Sequence, residues 1–421
     1  MTRTSTDFGA AGPDADDTPR QPSFARAFTV VVIVLALICT ALVVVTQSRG
    51  PRLDETRVDA SAVTQRTDQQ ARLFLNESVS TVRSSQVRVT PTTPFTVSTA
   101  GTVVTVQFSR RLHSATRYSV AVDGVTSIFG SRDADVETSF TTANAEVLTL
   151  DRSATAGGVD RIVEASVNTV GRDVVYEARG IQAFASIGTD LVVAANDGGA
   201  STLSIVARDG TRENLLLPGP GLVRSLSLDA PTGILVFGFT ATGAAPDPDE
   251  RLYTIDLAGV HRAEPLKGAD RRALVATAWG MTPGAPVVVT RAPGGTITRA
   301  DLGLEGTTTT VSADSLTVGE RSLIESAGTV RAGSDTARLA TSARSIIVGS
   351  RALYTAPSSS RLSSLGVSPN GQYLTVVSAP VGARSDGATI APAPVGATTL
   401  VLDAESGALV ASFAGASLHW N

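Results

Sequence analysis

The segment LSSLGVSPNGQYLTVVSAP (Leu362–Pro380), continued by TTLVLDAESGALVASFAG (Thr398–Gly415), decides the fold of the C-terminal part of this chain. It divides into four short apolar-rich stretches separated by turn sequences, of which Ser-Pro-Asn-Gly is the clearest. Proline pre-sets φ for a tight turn, and glycine accepts a positive φ. The segment therefore predicts four antiparallel strands joined by turns.

The same four-strand unit recurs earlier in the chain, over Ile181–Gly219, Val223–Gly268 and Ala273–Ser312. Residues 146–180 predict a first copy, and residues 314–360 predict one irregular copy because their pattern is weak. Repeats of about 40–50 residues with four strands each are typical of β-propeller blades. One blade cannot bury both of its faces, so blades stack until the ring closes. Residues 145–421 are therefore predicted to form a β-propeller of about six blades.

The stretch VSPNGQY (Val367–Tyr373) also carries a family resemblance. It resembles the propeller repeats of periplasmic TolB-like and WD40-like proteins. The resemblance implies a propeller fold, although no copy carries the His and Trp-Asp signature of true WD40 repeats.

Residues 51–143 show a period-two alternation of apolar and polar positions. It is visible in QVRVTP (Gln86–Pro91), TVVTVQF (Thr102–Phe108) and YSVAVDGV (Tyr118–Val125). This alternation places one face of each strand in a core and the other in water. About seven such strands predict an antiparallel β-sandwich.

Several motifs in the same region resemble the bacterial Ig-like domains of surface-layer and envelope proteins. The motifs are an FS-x-x-L segment, a Thr-x-Tyr strand and a terminal Phe-Thr-Thr, formed by Phe108, Ser109, Leu112, Thr116, Tyr118, Phe140, Thr141 and Thr142. The resemblance implies an Ig-like sandwich that acts as a spacer or adhesive module.

The N-terminal region contains one uninterrupted apolar run, AFTVVVIVLALICTALVVVT (Ala27–Thr46). Twenty residues at about 1.5 Å per residue would cross the hydrocarbon core of a bilayer. We therefore expect a transmembrane helix over residues 26–47, with residues 27–46 contacting the membrane. Residues 1–25 are rich in Gly, Pro, Asp, Ser and Thr, which predicts a disordered cytoplasmic tail.

Two other interpretations of this run are less favourable. A cleavable signal peptide has a shorter apolar core and a small-residue cleavage site. A lipoprotein signal would need a small residue before Cys39, where this chain has Ile38. The expected location is a single pass through the plasma membrane, with the N-terminus cytoplasmic and the C-terminal domains extracytoplasmic. The count of arginines on the two sides of the run mildly favours the reverse orientation, but large domains translocate largely regardless of charge, so the outward orientation is preferred.

Composition excludes some classes of function. The charged fraction is 18% and the net charge is −4, so no basic field exists to attract nucleic acid. A single cysteine excludes an intramolecular disulfide framework. The fold must therefore depend on burial of apolar surface.

No catalytic, cofactor-binding or metal-binding residue is predicted. The chain has three histidines, His113, His261 and His419, and no Gly-x-Ser-x-Gly nucleophile motif. Each histidine is expected at a surface or a strand edge, apart from the others. We expect no cofactor.

Three further features have structural interpretations. The acidic stretch containing Asp247, Asp249 and Glu250 lacks the glycine and closing glutamate of a calcium loop, and a solvated loop is expected. The glycine-rich segments 196–201 and 292–296 are expected to be hairpin turns, since neither precedes a helix. Trp279 and Trp420 are expected to pack between blades, and one of them could line a ligand surface.

Two hypotheses of function remain. The first is a membrane-anchored extracytoplasmic binding or scaffold protein of the bacterial cell envelope, with an envelope protein or a cell-wall glycan docked on loops at the central channel. The alternative is an envelope enzyme with carboxylates from several blades in that channel. Buried, mutually close acidic or histidine side chains at the channel mouth would favour the enzyme.

Overall fold

The computed structural model describes residues 24–47, 50–130, 132–153, 157–196, 198–242, 250–282, 285–303, 307–324, 329–332, 335–390 and 392–420. Residues 1–23 of the predicted tail and the aspartates Asp247 and Asp249 lie outside these ranges.

Helix α1 (Phe24–Gln47) is the first described element. Its described side chains, residues 28–40, are all exposed. Within the described residues, no helix combines the length and the apolar character needed to cross a membrane. The predicted transmembrane helix over residues 26–47 and the single-pass plasma-membrane location are therefore wrong, whereas the contact of residues 27–46 with a membrane stays a prediction.

Seven strands and one short helix follow in residues 50–143. They are β1 (Leu53–Val58), α2 (Ala62–Gln65), β2 (Gln69–Leu75), β3 (Val87–Thr90), β4 (Phe95–Ala100), β5 (Val103–Phe108), β6 (Arg117–Thr126) and β7 (Asp133–Thr141). They form two antiparallel sheets, with strand orders β1-β2-β5-β4 and β3-β6-β7.

One apolar core joins the two sheets into a sandwich. Alternate residues of β5, namely Val104, Val106 and Phe108, are buried and belong to this core, and the residues between them are less buried. Tyr118 of the other sheet is buried in the same core and stacks on Phe140. The alternation in the sequence thus determines which face each strand buries. The Ig-like identity of this sandwich stays a prediction.

From Glu146 onward the described residues form six antiparallel sheets of four principal strands each. In chain order the strands are β8 (Glu146–Asp151), β9 (Val159–Ser166), β10 (Arg172–Arg179), β11 (Ile181–Ile187), β12 (Asp190–Asn196), β13 (Ser201–Val206), β14 (Arg212–Asn214), β15 (Gly221–Asp229), β16 (Ile234–Ala241), β17 (Glu250–Asp256), β18 (Glu264–Pro265), β19 (Val275–Ala276), β20 (Ala278–Met281), β21 (Val287–Arg291), β22 (Ile297–Asp301), β23 (Thr308–Val311), β24 (Thr329–Ala332), β25 (Asp335–Leu339), β26 (Ser345–Val348), β27 (Arg351–Thr355), β28 (Ser360–Val367), β29 (Tyr373–Pro380), β30 (Thr398–Asp403), β31 (Leu409–Ala414) and β32 (Ser417–Trp420). Helix α3 (Val318–Ile324) lies between β23 and β24.

We number the sheets as blades 1 to 6. Blade 1 has the strand order β32-β8-β9-β10, blades 2 to 5 begin at β11, β15, β20 and β24, and blade 6 has the order β28-β29-β30-β31. Strand β19 pairs with β17 as a fifth strand of blade 3. The last strand of the chain, β32, therefore completes the first blade by pairing with β8. This pairing closes the ring and leaves no inner strand position unfilled in blade 1.

Apolar clusters join neighbouring blades around the ring. Separate clusters link blade 1 with blade 2, blade 2 with blade 3, blade 3 with blade 4, blade 5 with blade 6, and blade 6 with blade 1. Between blades 4 and 5, Ile324 of α3 packs on Val289 of blade 4, and α3 also contacts β24. The predicted β-propeller is confirmed, and its six sheets equal the number of blades expected from the repeat length.

The two faces of the ring can be told apart by the direction of the strands. The inner strands of blades 2 to 6 begin at one face, where a long segment of blade 6, residues 381–397, also lies; we call this segment the strap and this side the strap face. The turn Ser368–Gly371 and the start of β8 lie at the opposite side, which we call the sandwich face because the sandwich contacts it.

Candidate functional site

The strap is held to the neighbouring blades by one partly buried ion pair. Arg152, which follows β8 of blade 1, binds Asp386 of the strap at an Nη1–Oδ2 distance of 2.8 Å. Their side chains are only 14% and 15% exposed. The same guanidinium donates hydrogen bonds to the carbonyls of Ile181, Gln182 and Ile390. Arg152 thus connects blade 1, blade 2 and the strap.

The tip of the strap is anchored by a glutamine and an isoleucine. The Oε1 atom of Gln182, at the start of the inner strand of blade 2, accepts hydrogen bonds from the backbone N–H of Thr389 (2.6 Å) and of Ile390. The side chain of Ile390 is 5% exposed and packs in the core between blades 2 and 3. The strap therefore extends from blade 6, past blade 1, to the boundary between blades 2 and 3.

Asp386 is held in its charged form by this arrangement. Burial alone would raise the pKa of Asp386, but hydrogen bonds from the backbone N–H groups of Ala388 and Ala393 and from Arg152 outweigh it, and the pKa lies below its usual value. A carboxylate with two backbone donors and one guanidinium is a structural anchor. Asp386 therefore stays ionised and fixes the position of the strap.

A second polar group lies between blades 3 and 4, close to the strap face. Glu250, the first residue of β17, accepts hydrogen bonds from Ser225 of β15 and from the indole N–H of Trp279 in β20, the latter at 3.2 Å. Trp279 also donates to the Ser225 hydroxyl at 2.9 Å. Gly238 leaves the space into which the Glu250 carboxylate folds, since a Cβ at this position would overlap it. Trp279 thus packs between blades, as the sequence predicts.

The sandwich and the propeller meet at the turn that the sequence singles out. Ser368 to Gly371 form a tight turn, closed by a 2.9 Å hydrogen bond from the Gly371 N–H to the Ser368 carbonyl, and Gly371 has a φ of +74°. The Asn370 side-chain amide donates to the carbonyl of Leu112 at 3.1 Å and to the hydroxyl of Ser114 at 3.2 Å. Both partners lie in the loop between β5 and β6 of the sandwich.

Gln372 makes two further hydrogen bonds to the same loop of the sandwich. Its Oε1 accepts a 2.6 Å hydrogen bond from the backbone N–H of Ser114, and its Nε2 donates to the Ser114 carbonyl at 3.3 Å. Arg111 of the same loop donates to the carbonyl of Pro369 at 2.9 Å. We call these contacts of Pro369, Asn370 and Gln372 with Arg111, Leu112 and Ser114 the junction. The sequence predicts the turn but gives no signal of the domain that it contacts.

The three histidines lie on separate elements. His113 belongs to the sandwich loop at the junction. His261 hydrogen-bonds Glu213 at 2.6 Å and the Leu257 carbonyl, and these bonds raise its pKa. His419 of β32 packs against Phe184 of blade 2, with ring centroids 4.5 Å apart and ring planes tilted by 52°, and burial lowers its pKa to about 4. His113 is exposed and His261 is partly exposed, as expected, whereas His419 lies in the interface between blades 1 and 2.

Most of the other singled-out residues have structural roles. Trp420 stacks on Tyr373 with ring centroids 6.0 Å apart, which joins blades 1 and 6. Gly295 and Gly198 take positive φ values in turns between strands, as expected of hairpin turns. Cys39 is exposed on α1. Among the described residues, no three acidic, histidine or cysteine side chains lie close enough to hold a metal ion.

Comparison with known proteins gives similarity of structure alone. No protein family matches this chain in sequence, and no curated protein matches it either. TolB from Acinetobacter baumannii is 16% identical, with 66% of each chain covered and a TM-score of 0.39. A protein of unknown function from Bacteroides thetaiotaomicron is 10% identical, with 88% of each chain covered and a TM-score of 0.40.

The β-propeller domain of the Trilobed protease from Pyrococcus furiosus is a third similar structure. It is 7% identical, with 85% of this chain and 97% of that domain covered and a TM-score of 0.31. No functional argument follows from similarities of this size. The propeller assignment rests on the strand pairings of this chain itself.

Proposed function

We propose that this protein is a non-catalytic binding or scaffold protein, in which the sandwich holds the propeller in a fixed orientation toward a partner. The junction is the observation that carries this proposal. It combines hydrogen bonds donated by the side chains of Asn370 and Arg111 with one that the side chain of Gln372 accepts, whereas a flexible tether would need no such contacts. A rigid spacer keeps the loops of a propeller at a constant position and so lowers the entropic cost of docking.

The proposed docking surface is the strap face. The sandwich contacts the opposite face, whereas the strap lies where the inner strands begin and is anchored there by Asp386 and by the backbone of Thr389. The resemblance of the sandwich to bacterial Ig-like domains, through Phe108, Leu112 and Tyr118, suggests an envelope protein or a cell-wall glycan as the partner. In this proposal the sandwich is the Ig-like spacer and the propeller is the docking domain.

The alternative is an enzyme with its site in the channel. Such a site would need an acid or base with a pKa suited to proton transfer. At the strap face Asp386 and Arg152 instead bind each other, and Glu250 is bound by Ser225 and Trp279. These engaged groups support binding over chemistry as the proposed function.

Crosslinking of the full chain in living cells tests this proposal. The wild-type protein is compared with the double variant Asn370→Ala/Gln372→Ala, which keeps the strap face unchanged but removes most side-chain hydrogen bonds of the junction. We expect one class of envelope molecule to be crosslinked reproducibly by the wild type and several-fold less by the variant. Equal capture by both proteins would contradict the scaffold role, and the absence of any crosslinked molecule would contradict the binding role.

A further inference from the structure

The strap is a compact unit with hydrogen bonds of its own. The backbone N–H of Asp386 donates to the carbonyl of Ala393 at 2.8 Å. The backbone N–H of Val395 donates to the carbonyl of Arg384, also at 2.8 Å. The Oδ1 atom of Asp386 accepts hydrogen bonds from the N–H groups of Ala388 and Ala393. All of these bonds lie within the strap, so they persist if the strap leaves the ring.

The ring holds its own side of the contact in place. The guanidinium of Arg152 donates to the carbonyls of Ile181 and Gln182 in blade 2. The Nε2 atom of Gln182 donates to the carbonyl of Gly180 at 3.2 Å. These bonds join ring residues to one another. The two polar groups that receive the strap, Arg152 and Gln182, are therefore positioned without it.

A glycine lies near each end of the strap. Gly382 follows β29 and Gly396 precedes β30, with φ values of +79° and +76°. Residues at the ends of a loop absorb the backbone changes of a hinge motion, and glycine does so at the least steric cost. The strap is therefore built to move as one unit about its two ends.

The ring binds the strap in the way that proteins bind a peptide. Arg152 binds the carboxylate of Asp386, and both side chains are largely buried. The Oε1 atom of Gln182 accepts the backbone N–H groups of Thr389 and Ile390. The side chain of Ile390 is 5% exposed in the core between blades 2 and 3. A charged anchor, a backbone contact and an apolar pocket together form a recognition site for a peptide segment.

We propose that the strap occupies the binding site of a protein partner and thereby inhibits its own protein. The partner displaces the strap with a segment that carries the same two anchors: a carboxylate for Arg152 and, four residues later, an aliphatic side chain for the site of Ile390. This inference rests on the proposed docking at the strap face and names the chemistry of the partner.

Tethering explains why the strap fills the site in the free protein. A segment held in the same chain has an effective concentration of about millimolar, so a free partner must compete with it. The apparent affinity for the partner is reduced by the fraction of molecules in which the strap is bound. Weakening the strap is therefore expected to strengthen the binding of a partner segment.

Hydrogen exchange of the full chain tests whether the two anchors hold the strap. The open variant is Asp386→Asn/Ile390→Ala, in which asparagine keeps the Oδ1 acceptor for the backbone of the strap but removes the charge facing Arg152. We expect the amides of residues 389 and 390 to exchange several-fold faster than in the wild type, while the inner strands stay protected. Asp123→Asn, at an exposed ion pair of the sandwich, is the control. Unchanged exchange in the open variant would overturn the proposal.

Binding of a peptide tests the site itself. The probe is a fluorescently labelled peptide with the sequence of residues 384–394, RSDGATIAPAP, titrated by anisotropy into the purified full chain. We expect the open variant to bind it at least about tenfold more tightly than the wild type, whose site is filled. Equal affinity for the two proteins, or no binding to either, would overturn the proposal.

Changes in the peptide show which anchors are recognised. Asparagine in place of the aspartate, or alanine in place of the isoleucine, is expected to weaken binding to the open variant about tenfold each. Because the protein is the same in all titrations, loss of binding cannot result from misfolding. Equal affinity for all three peptides would contradict the proposed anchors.

The outcome is separable from that of the crosslinking experiment in cells. The titration uses purified protein and a peptide of the chain's own sequence, so it does not depend on an envelope partner. Peptide binding without crosslinking would reject the proposed docking in the envelope and retain the site under the strap. Crosslinking without peptide binding would retain the docking and reject the strap as an inhibitor.

Discussion

At the scale of single residues, Gly415 decides how the chain enters its last strand. It precedes β32, has a φ of +89°, and a Cβ at this position would overlap the carbonyl oxygen of Leu150 in β8. Gly210, in a turn of blade 2, has nearly the same φ, +87°, but open space around it. Both glycines therefore need a positive φ, but only Gly415 lies so close to a neighbouring strand that a side chain would not fit.

We predict that Gly415→Ala destabilises the protein considerably more than Gly210→Ala. The conformational cost at either site is about 1 kcal/mol, and the overlap with Leu150 adds about 2 kcal/mol or more at Gly415 alone. Chemical denaturation of both variants measures the difference in the free energy of unfolding. Equal losses would show that β32 does not lie against β8 as described.

His419 makes the ring sensitive to acid. Its pKa in the folded protein is about 4, because it is buried against Phe184, whereas an unfolded histidine has a pKa of about 6.5. Between pH 4 and pH 6.5 the unfolded chain binds a proton at this histidine more readily than the folded protein does. The contribution of His419 to the free energy of unfolding is therefore complete above pH 6.5 and decreases as the pH falls toward 4.

We predict that the wild type loses about 1–2 kcal/mol of unfolding free energy more than His419→Leu between pH 7.5 and pH 5. Leucine fills a similar part of the interface but does not titrate. Denaturation curves at both pH values provide the measurement. A wild type and a variant with the same dependence on pH would contradict the burial of His419 between blades 1 and 2.

At the scale of elements, the strap depends on the Arg152–Asp386 pair. We predict that Arg152→Met lowers the free energy of unfolding by about 2–4 kcal/mol, because it leaves a largely buried carboxylate without its guanidinium. The matched control is Arg88→Met, which removes an exposed ion pair with Asp123 and is expected to cost less than about 1 kcal/mol. Similar effects of both variants would mean that the strap is not anchored by this pair.

The strand units could be predicted from sequence, whereas the strap and the junction could not. Alternation in β5 and the Ser-Pro-Asn-Gly turn before β29 depend on local rules of strand and turn formation, and the structure follows them. The strap has no period, and its partner Gln182 is about two hundred residues away along the chain, so only the three-dimensional structure brings them together. The turn alone accounts for an asparagine at position 370, so the local sequence pattern does not indicate that Asn370 contacts Leu112.

The prediction for the apolar run failed for a different reason. Apolar composition indicates that residues 27–46 favour a helix, and α1 is a helix, but composition does not determine what that helix spans. Within the part of the chain that the structure describes, no helix has the length and apolar character needed to cross a bilayer. The sequence was also a poor guide to blade 5. Its apolar pattern is weak, yet this blade contains four regular strands, β24 to β27.

At the scale of the whole molecule, the fold is a closed ring that contacts a sandwich at the junction. Closure depends on β32 pairing with β8, and the orientation of the sandwich depends on the side chains of Asn370 and Gln372. Each domain has its own apolar core, so the junction controls their relative orientation without controlling their folding. A fixed orientation is the property on which the proposed scaffold function depends.

The most direct test of this fixed orientation is a distance distribution between spin labels on the two domains. The labels are placed at Glu137→Cys in the sandwich and Ser358→Cys in the propeller, with Cys39→Ser to remove the natural thiol; both labelled positions are exposed. We predict one narrow distribution for this protein and a broad one when Asn370→Ala and Gln372→Ala are added. A broad distribution with the junction intact would contradict the account.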